Sequence, residues 1–103
     1  MKSIKIDAIQ SIVKRSNLKG FDITVWEHNN YLELVYIKIP SILRGQGLGS
    51  MIMTELCKYA DKRLLPIHLE VIKTSSKLKS LYNKFGFKED KINERDLLEM
   101  IRN

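Results

Sequence analysis

Arg44-Gly45-Gln46-Gly47-Leu48-Gly49 stands between two runs of opposite periodicity. Before it, Tyr31 to Ile39 is rich in Val, Ile and Tyr and reads as a strand that Pro40 ends. After it, Leu48, Ile52, Leu56, Tyr59 and Ala60 recur at helical spacing, with Ser50, Thr54, Lys58 and Asp61 opposite. Three glycines and an arginine thus sit where a strand gives way to a helix. The first turn of a helix leaves amide N–H groups unpaired and carries partial positive charge, which suits a phosphate. Glycines let the backbone approach the anion closely, and Arg44 adds a charge-assisted contact. The loop reads as a pyrophosphate cradle. It lacks the Gly-Lys-Ser/Thr ending of a Walker loop, and Gly45, Gly47 and Gly49 depart from the dinucleotide spacing G-x-G-x-x-G.

Working outward from the loop, 103 residues make one domain with room for one core, and a hydrophobic content of 44% supplies it. The sequence contains no apolar run of the roughly 18 residues a membrane span needs. Met1 to Lys5 lacks the apolar segment of a secretory signal, and a single cysteine, Cys57, suits a reducing compartment; a cytoplasmic protein is expected. The net charge of +6 comes from scattered lysines and arginines. Neither a basic stripe interleaved with aromatics nor a recognition-helix pattern is present, which argues against nucleic acid. His28 and His68 have no cysteine partners at zinc spacing, so no metal is expected.

Toward the N-terminus, Ile4 and Ile6 alternate with Lys5 as a short strand. Asp7 to Gln10 has capping-box spacing and opens a helix that Gly20 ends. Phe21, Ile23 and Val25 alternate as a strand, and Asn29-Asn30 makes a hairpin turn. Toward the C-terminus, Pro66 opens a strand over Ile67 to Ile72. Lys77 to Lys84 reads as a helix capped by Thr74, Ser75 or Ser76, Phe85 to Lys88 as a short strand, and Asn93 as the cap of a last helix carrying Leu97, Leu98 and Ile101. The order predicts an α/β fold with a mixed central sheet flanked by helices.

A second motif follows the glycine loop: Leu81-Tyr82-Asn83-Lys84-Phe85-Gly86-Phe87. The pair R-x-x-G-x-G and L-Y-x-K-x-G-F resembles the GNAT superfamily of acetyl-CoA-dependent N-acetyltransferases, from Glu33 to Phe87. The resemblance implies a single acetyl-CoA-binding domain over residues 1–103 and acyltransferase activity, with acetyl passing directly to a primary amine of a protein or small molecule. It implies that the strands on either side of the glycine loop's helix are parallel neighbours that splay apart around the pantetheine arm. Backbone of Ile37, Lys38 and Ile39 would then bond that arm. Arg44, Gly45, Gln46, Gly47, Leu48, Gly49 and Ser50 would hold the pyrophosphate. Ser75 stands where the family commonly has Asn. Lys73, Lys77, Lys79 and Lys84 lie near the second motif and would greet the coenzyme's anionic end.

Tyr82 occupies the family's tyrosine position and would protonate the leaving thiolate. Two carboxylates compete as base. Glu70 lies twelve residues before Tyr82, a spacing similar to that in the branch acting on N-terminal amines of ribosomal proteins. Glu33 lies eleven residues before Arg44, where histone-type members carry a catalytic Glu. Either could instead be a solvated strand residue. His68 shares a strand face with Glu70 and is a third candidate, and His28 reads as exposed. Cys57 reads as a buried structural thiol, since direct transfer needs no nucleophile.

The family usually opens with a strand and two helices that build much of the acceptor site; here that region reads as one helix. It usually ends with a two-stranded hairpin, whereas Asp90 to Asn103 reads as helical. A sheet edge left bare in this way would favour a homodimer. The alternatives are a non-catalytic coenzyme A sensor and a protein-interaction module.

Overall fold

A computed structural model describes residues 2–16, 20–38 and 47–103. Elements run β1 (Lys2–Ile4), α1 (Asp7–Arg15), β2 (Asp22–Glu27), β3 (Leu32–Lys38), α2 (Leu48–Arg63), β4 (Ile67–Ile72), α3 (Ser76–Lys84), β5 (Lys88–Ile92) and β6 (Leu97–Arg102). They form a mixed sheet in the order β1-β2-β3-β4-β6-β5, with β3 and β4 parallel and every other pair antiparallel. The expected α/β class is what the chain adopts.

Along β4, Ile67, Leu69 and Val71 are buried while Glu70 and Ile72 are exposed, so one face of the strand is core and the other looks outward. Leu98 and Met100 of β6 sit beside Val71 and Leu69 on the core face. Helix α2 buries Leu48, Ile52, Met53, Leu56, Cys57 and Ala60, the stripe its periodicity announces. Cys57 is buried, and its thiol is pushed up by that burial, as a structural cysteine's would be.

The last predicted helix is a correction. Residues 88–102 are the hairpin β5–β6, and β6 is inserted between β4 and β5. Leu97, Leu98 and Ile101 fit one helical face, but Leu98 and Met100 also fit a period of two. Pairing with β4 over six residues decides between them. Asn93 therefore opens a turn rather than a helix. The supposed strand from Phe85 to Lys88 also shifts: Phe87 is core, and β5 begins at Lys88.

The sheet edge is consequently not bare in the way the helical reading implied. Four of the five β5 residues, Lys88, Glu89, Asp90 and Lys91, are charged and all five are exposed, which discourages pairing with another chain. Two caps also differ. Ile6 precedes α1 without a side-chain bond, and Asp7 sits in the first turn, where its charge favours the dipole. The helix stops at Arg15, short of Gly20.

Candidate active site

Strands β3 and β4 pair at Leu32–Ile67 and Glu33–His68, supported by Leu32 N–H donating to Pro66 O at 2.9 Å. No pairing joins Leu34–Lys38 to Leu69–Ile72, so the two strands part toward their C-terminal ends. A bulge marks the parting: Val25 pairs with Leu34 and Thr24 with Tyr36, leaving Val35 as the extra residue in β3. A bulge bends its strand and disturbs alternation, and Val35 and Tyr36 are in fact both exposed. Ile37 and Lys38 lie past this bend, bonded to β2 through the registers Ile23–Ile37 and Asp22–Lys38. Among the described residues no strand pairs with their side toward β4. Parallel strands that separate make the crevice in which open α/β sheets hold ligands.

Helix α2 is the next described element after β3. Gly47 is its N-cap, at φ 77, and no side chain caps it; the first turn carries no acidic residue. The amides of Leu48, Gly49 and Ser50 precede the first helical bond, Met51 N–H to Gly47 O at 3.0 Å. Among the described residues nothing pairs with these donors and no acidic side chain in the first turn opposes the positive end of the helix. Ile39, Pro40, Arg44, Gly45 and Gln46 lie outside the described residues. Ser75 is the N-cap of α3, its Oγ accepting from Leu78 N–H at 3.3 Å, which selects one of the three candidate caps. Lys73 is engaged with Asp96 at 2.8 Å.

Tyr82 lies in α3, buried at 8% exposure and edge-on to Phe87 with ring centroids 5.7 Å apart. Burial pushes its phenol above the ordinary value, so it stays protonated well into alkaline solution. Gly86, at φ 92, turns the chain out of α3, and the amides of Gly86 and Phe87 close on the carbonyls of Asn83 and Tyr82. The Gly-Phe of the second motif thereby seats Phe87 beside the tyrosine.

On the outward face the structure gathers both competing carboxylates. Glu33 is half-buried and Glu70 exposed, and Glu33 lies in register with His68, two residues before Glu70. His28 is not the free surface residue expected: its Nε2 lies 2.8 Å from Glu33 Oε1, and its ring stacks on Tyr31, which stacks on His68. Glu70 accepts from Arg95 and from the side-chain amide of Asn93, which also donates to Glu99 Oε2 at 3.2 Å. The Glu70 contact, and the charges of Glu99 and Glu33, hold Arg95 above the usual guanidinium range. Sequence reasoning missed Asn93, Arg95 and Tyr31. The Asn-Glu-Arg-Asp composition at 93–96, typical of a turn, was the available signal.

Known proteins bear on this geometry. The acetyltransferase (GNAT) domain family matches residues 9–97, and the chain belongs to that family. No curated protein matches it significantly. Among solved structures, it resembles the PaiA N-acetyltransferase of Thermoplasma acidophilum in complex with coenzyme A, at 21% identity and a TM-score of 0.69 over 81% of this chain and 52% of that one. The ribosomal-protein-S18-alanine N-acetyltransferase of Escherichia coli gives 20% identity and 0.69 over 78% and 58%. A GNAT family acetyltransferase of Elizabethkingia anophelis with acetyl-CoA bound gives 14% and 0.69 over 81% and 67%. These likenesses establish the fold. The chain spans little more than half the length of the first two. No helix among the described residues is long and apolar enough to cross a membrane.

Proposed function

We propose that this chain binds acetyl-CoA and transfers its acetyl group directly to a primary amine. The observation that carries the reading is the parting of β3 from β4, together with the N-terminus of α2, which no described side chain caps. The pantetheine arm occupies the gap and bonds the backbone of Ile37, Lys38 and Ile39. The pyrophosphate rests on the amides of Gly47, Leu48, Gly49 and Ser50, with Arg44, Gly45 and Gln46 completing the loop. Ser75 contributes through the start of α3, since its hydroxyl is committed to the cap. Acetyl-CoA-bound or coenzyme-bound relatives of the same fold support this assignment.

In the proposed reaction Glu70, with Glu33 in reserve, takes a proton from the acceptor ammonium. The freed lone pair attacks the thioester carbonyl carbon. The C–S bond then breaks with its electron pair going to sulfur, and Tyr82 gives that sulfur its phenolic proton. The new amide nitrogen then sheds its extra proton, which returns to the tyrosinate, and Glu70 releases the proton it took to solvent. A phenol held neutral by burial is suited to the donor's part. The free, buried Cys57 fits a reducing, cytoplasmic setting.

The test is twofold. Acetyl-CoA should raise the melting temperature more than adenine nucleotides do, and thiol release should require an added amine. Binding without amine-dependent thiol release makes the chain a coenzyme sensor; absence of both leaves an interaction module.

A further inference from the structure

The turn between β5 and β6 is built on one side chain. Asn93 Oδ1 accepts from Arg95 N–H at 3.0 Å and from Leu97 N–H at 3.2 Å, and Asn93 N–H donates to Leu97 O at 2.9 Å. The turn also places Asp96 at φ 63, a conformation Asp tolerates. The acceptor half of the Asn93 amide is therefore spent on backbone. Its donor half points across β6 to β4, bridging Glu70 and Glu99. These two carboxylates are register partners on adjacent strands, and like charges placed so repel.

We propose that Asn93 is a positioning residue for Glu70, holding its carboxylate fixed beside Glu99 for removal of the acceptor's proton. The inference rests on the reading of Glu70 as the base. An amide donor is the side chain this place requires. It bridges the two neighbouring carboxylates through its N–H groups while adding no charge of its own. Arg95, from the same turn, supplies the countercharge and is itself exposed, so an incoming ammonium can displace it. Other titratable and charged groups around this point are Glu33 from β3, His68 on β4, and Lys91 and Glu94, which line one hollow with Asn93, Arg95 and Glu99.

The experiment uses the full chain with a panel of amines that includes a peptide with N-terminal alanine, and reads kcat across pH. Asn93→Asp keeps the oxygen that the Arg95 and Leu97 amides need but sets a third carboxylate against Glu70 and Glu99. Its acidic limb should move up by about one pH unit, slowing turnover about tenfold at pH values below the limb. The rate should rejoin the parental one at alkaline pH, with KM for acetyl-CoA unchanged. Asn93→Ser keeps a hydroxyl acceptor for the turn and loses the reach to Glu70. It should lower kcat with KM for acetyl-CoA unchanged, even if the Asp variant folds poorly. A loss uniform across pH in Asn93→Asp, or parental kcat and limb in both variants while Glu70→Gln is slow, overturns the role of Asn93. Parental turnover in Glu70→Gln, or no turnover with any amine, overturns the base assignment beneath it.

Discussion

Arg102 of β6 grips Asp61 of α2 through both arms of its guanidinium, at 2.8 and 3.1 Å, while its Nε donates to Phe85 O at 2.7 Å. One side chain thus ties the central strand of the C-terminal half to the long helix and to the end of α3. The bidentate geometry is one that lysine cannot reproduce. The contact also bears on the proposed site, because α2 carries the N-terminus proposed to bind the anion and α3 carries Tyr82.

Arg102→Ala should therefore lower stability, with about 1–3 kcal/mol arising from the orphaned Phe85 carbonyl alone. The check is urea unfolding, where the midpoint should fall without a change in slope. Arg102 holds the Asp61 carboxyl below its ordinary range, chiefly through their hydrogen bonds. A carboxyl depressed in the folded state contributes stability above its unfolded value and loses it as pH falls through the folded one. The parent should thus lose stability more steeply below about pH 4 than Arg102→Ala does. Parallel stability–pH curves for the two proteins would show that the ion pair contributes nothing.

Leu64 closes α2 in the left-handed region, at φ 57, with its side chain 90% exposed. The turn is a Schellman-type closure, Leu65 N–H to Ala60 O at 2.9 Å and Leu64 N–H to Asp61 O at 3.1 Å. A leucine there bears backbone strain and buries little. Leu64→Gly should stabilise the protein by about 0.5–1 kcal/mol, the strain relief exceeding the added freedom of the unfolded chain. A lower melting temperature in Leu64→Gly would mean that the leucine's contacts outweigh the strain.

How much of this was legible in the sequence depends on how local each signal is. The β3–α2–β4 unit was readable because Pro40, the glycines and Pro66 punctuate it, and because the apolar period changes from two to 3.6 residues and back. The C-terminal hairpin was not, since Leu97, Leu98 and Ile101 satisfy a helix until β4 is available to pair with them. The same non-locality hid the surroundings of Glu70. Asn93 and Arg95 are more than twenty residues away and reach it only once β6 has inserted beside β4. His28 was misread for a related reason: its partners Tyr31 and Glu33 are near in sequence, but His68, the far end of the stack, arrives on β4.

Gly47 separates fold from binding. A Cβ built there meets no atom of the described residues within 4 Å, and the φ of 77 resists substitution. Gly47→Ala should cost about 1–2 kcal/mol of stability from backbone strain. Its larger effect should fall on acetyl-CoA, because a methyl group and a shifted amide meet the phosphate. Calorimetry should show affinity reduced by about tenfold or more, equivalent to about 1.4 kcal/mol. Undiminished affinity in a folded Gly47→Ala protein removes the pyrophosphate from this helix end.

Tyr82→Phe isolates the proposed proton donor. The ring keeps its edge contact with Phe87 and its buried place, so the variant should fold and bind acetyl-CoA as the parent does. Deleting the hydroxyl removes the proposed general acid, and a contribution of about 10²–10⁴ in rate should go with it. The pH dependence supplies a second readout. Burial raises the phenol's proton affinity, so the donor form persists through neutral and moderately alkaline solution and is lost only above the ordinary tyrosine value of about 10. The parental rate should therefore hold a plateau on its alkaline side and decline only beyond that value. The same ionisation also weakens the fold there, because a buried phenolate is the disfavoured form, so folding must be monitored by circular dichroism over the range. In Tyr82→Phe the alkaline decline should disappear along with most of the rate, leaving the acidic limb set by the base. Parental turnover in Tyr82→Phe, with the alkaline limb retained, would assign thiolate protonation to water and leave Tyr82 as a packing residue.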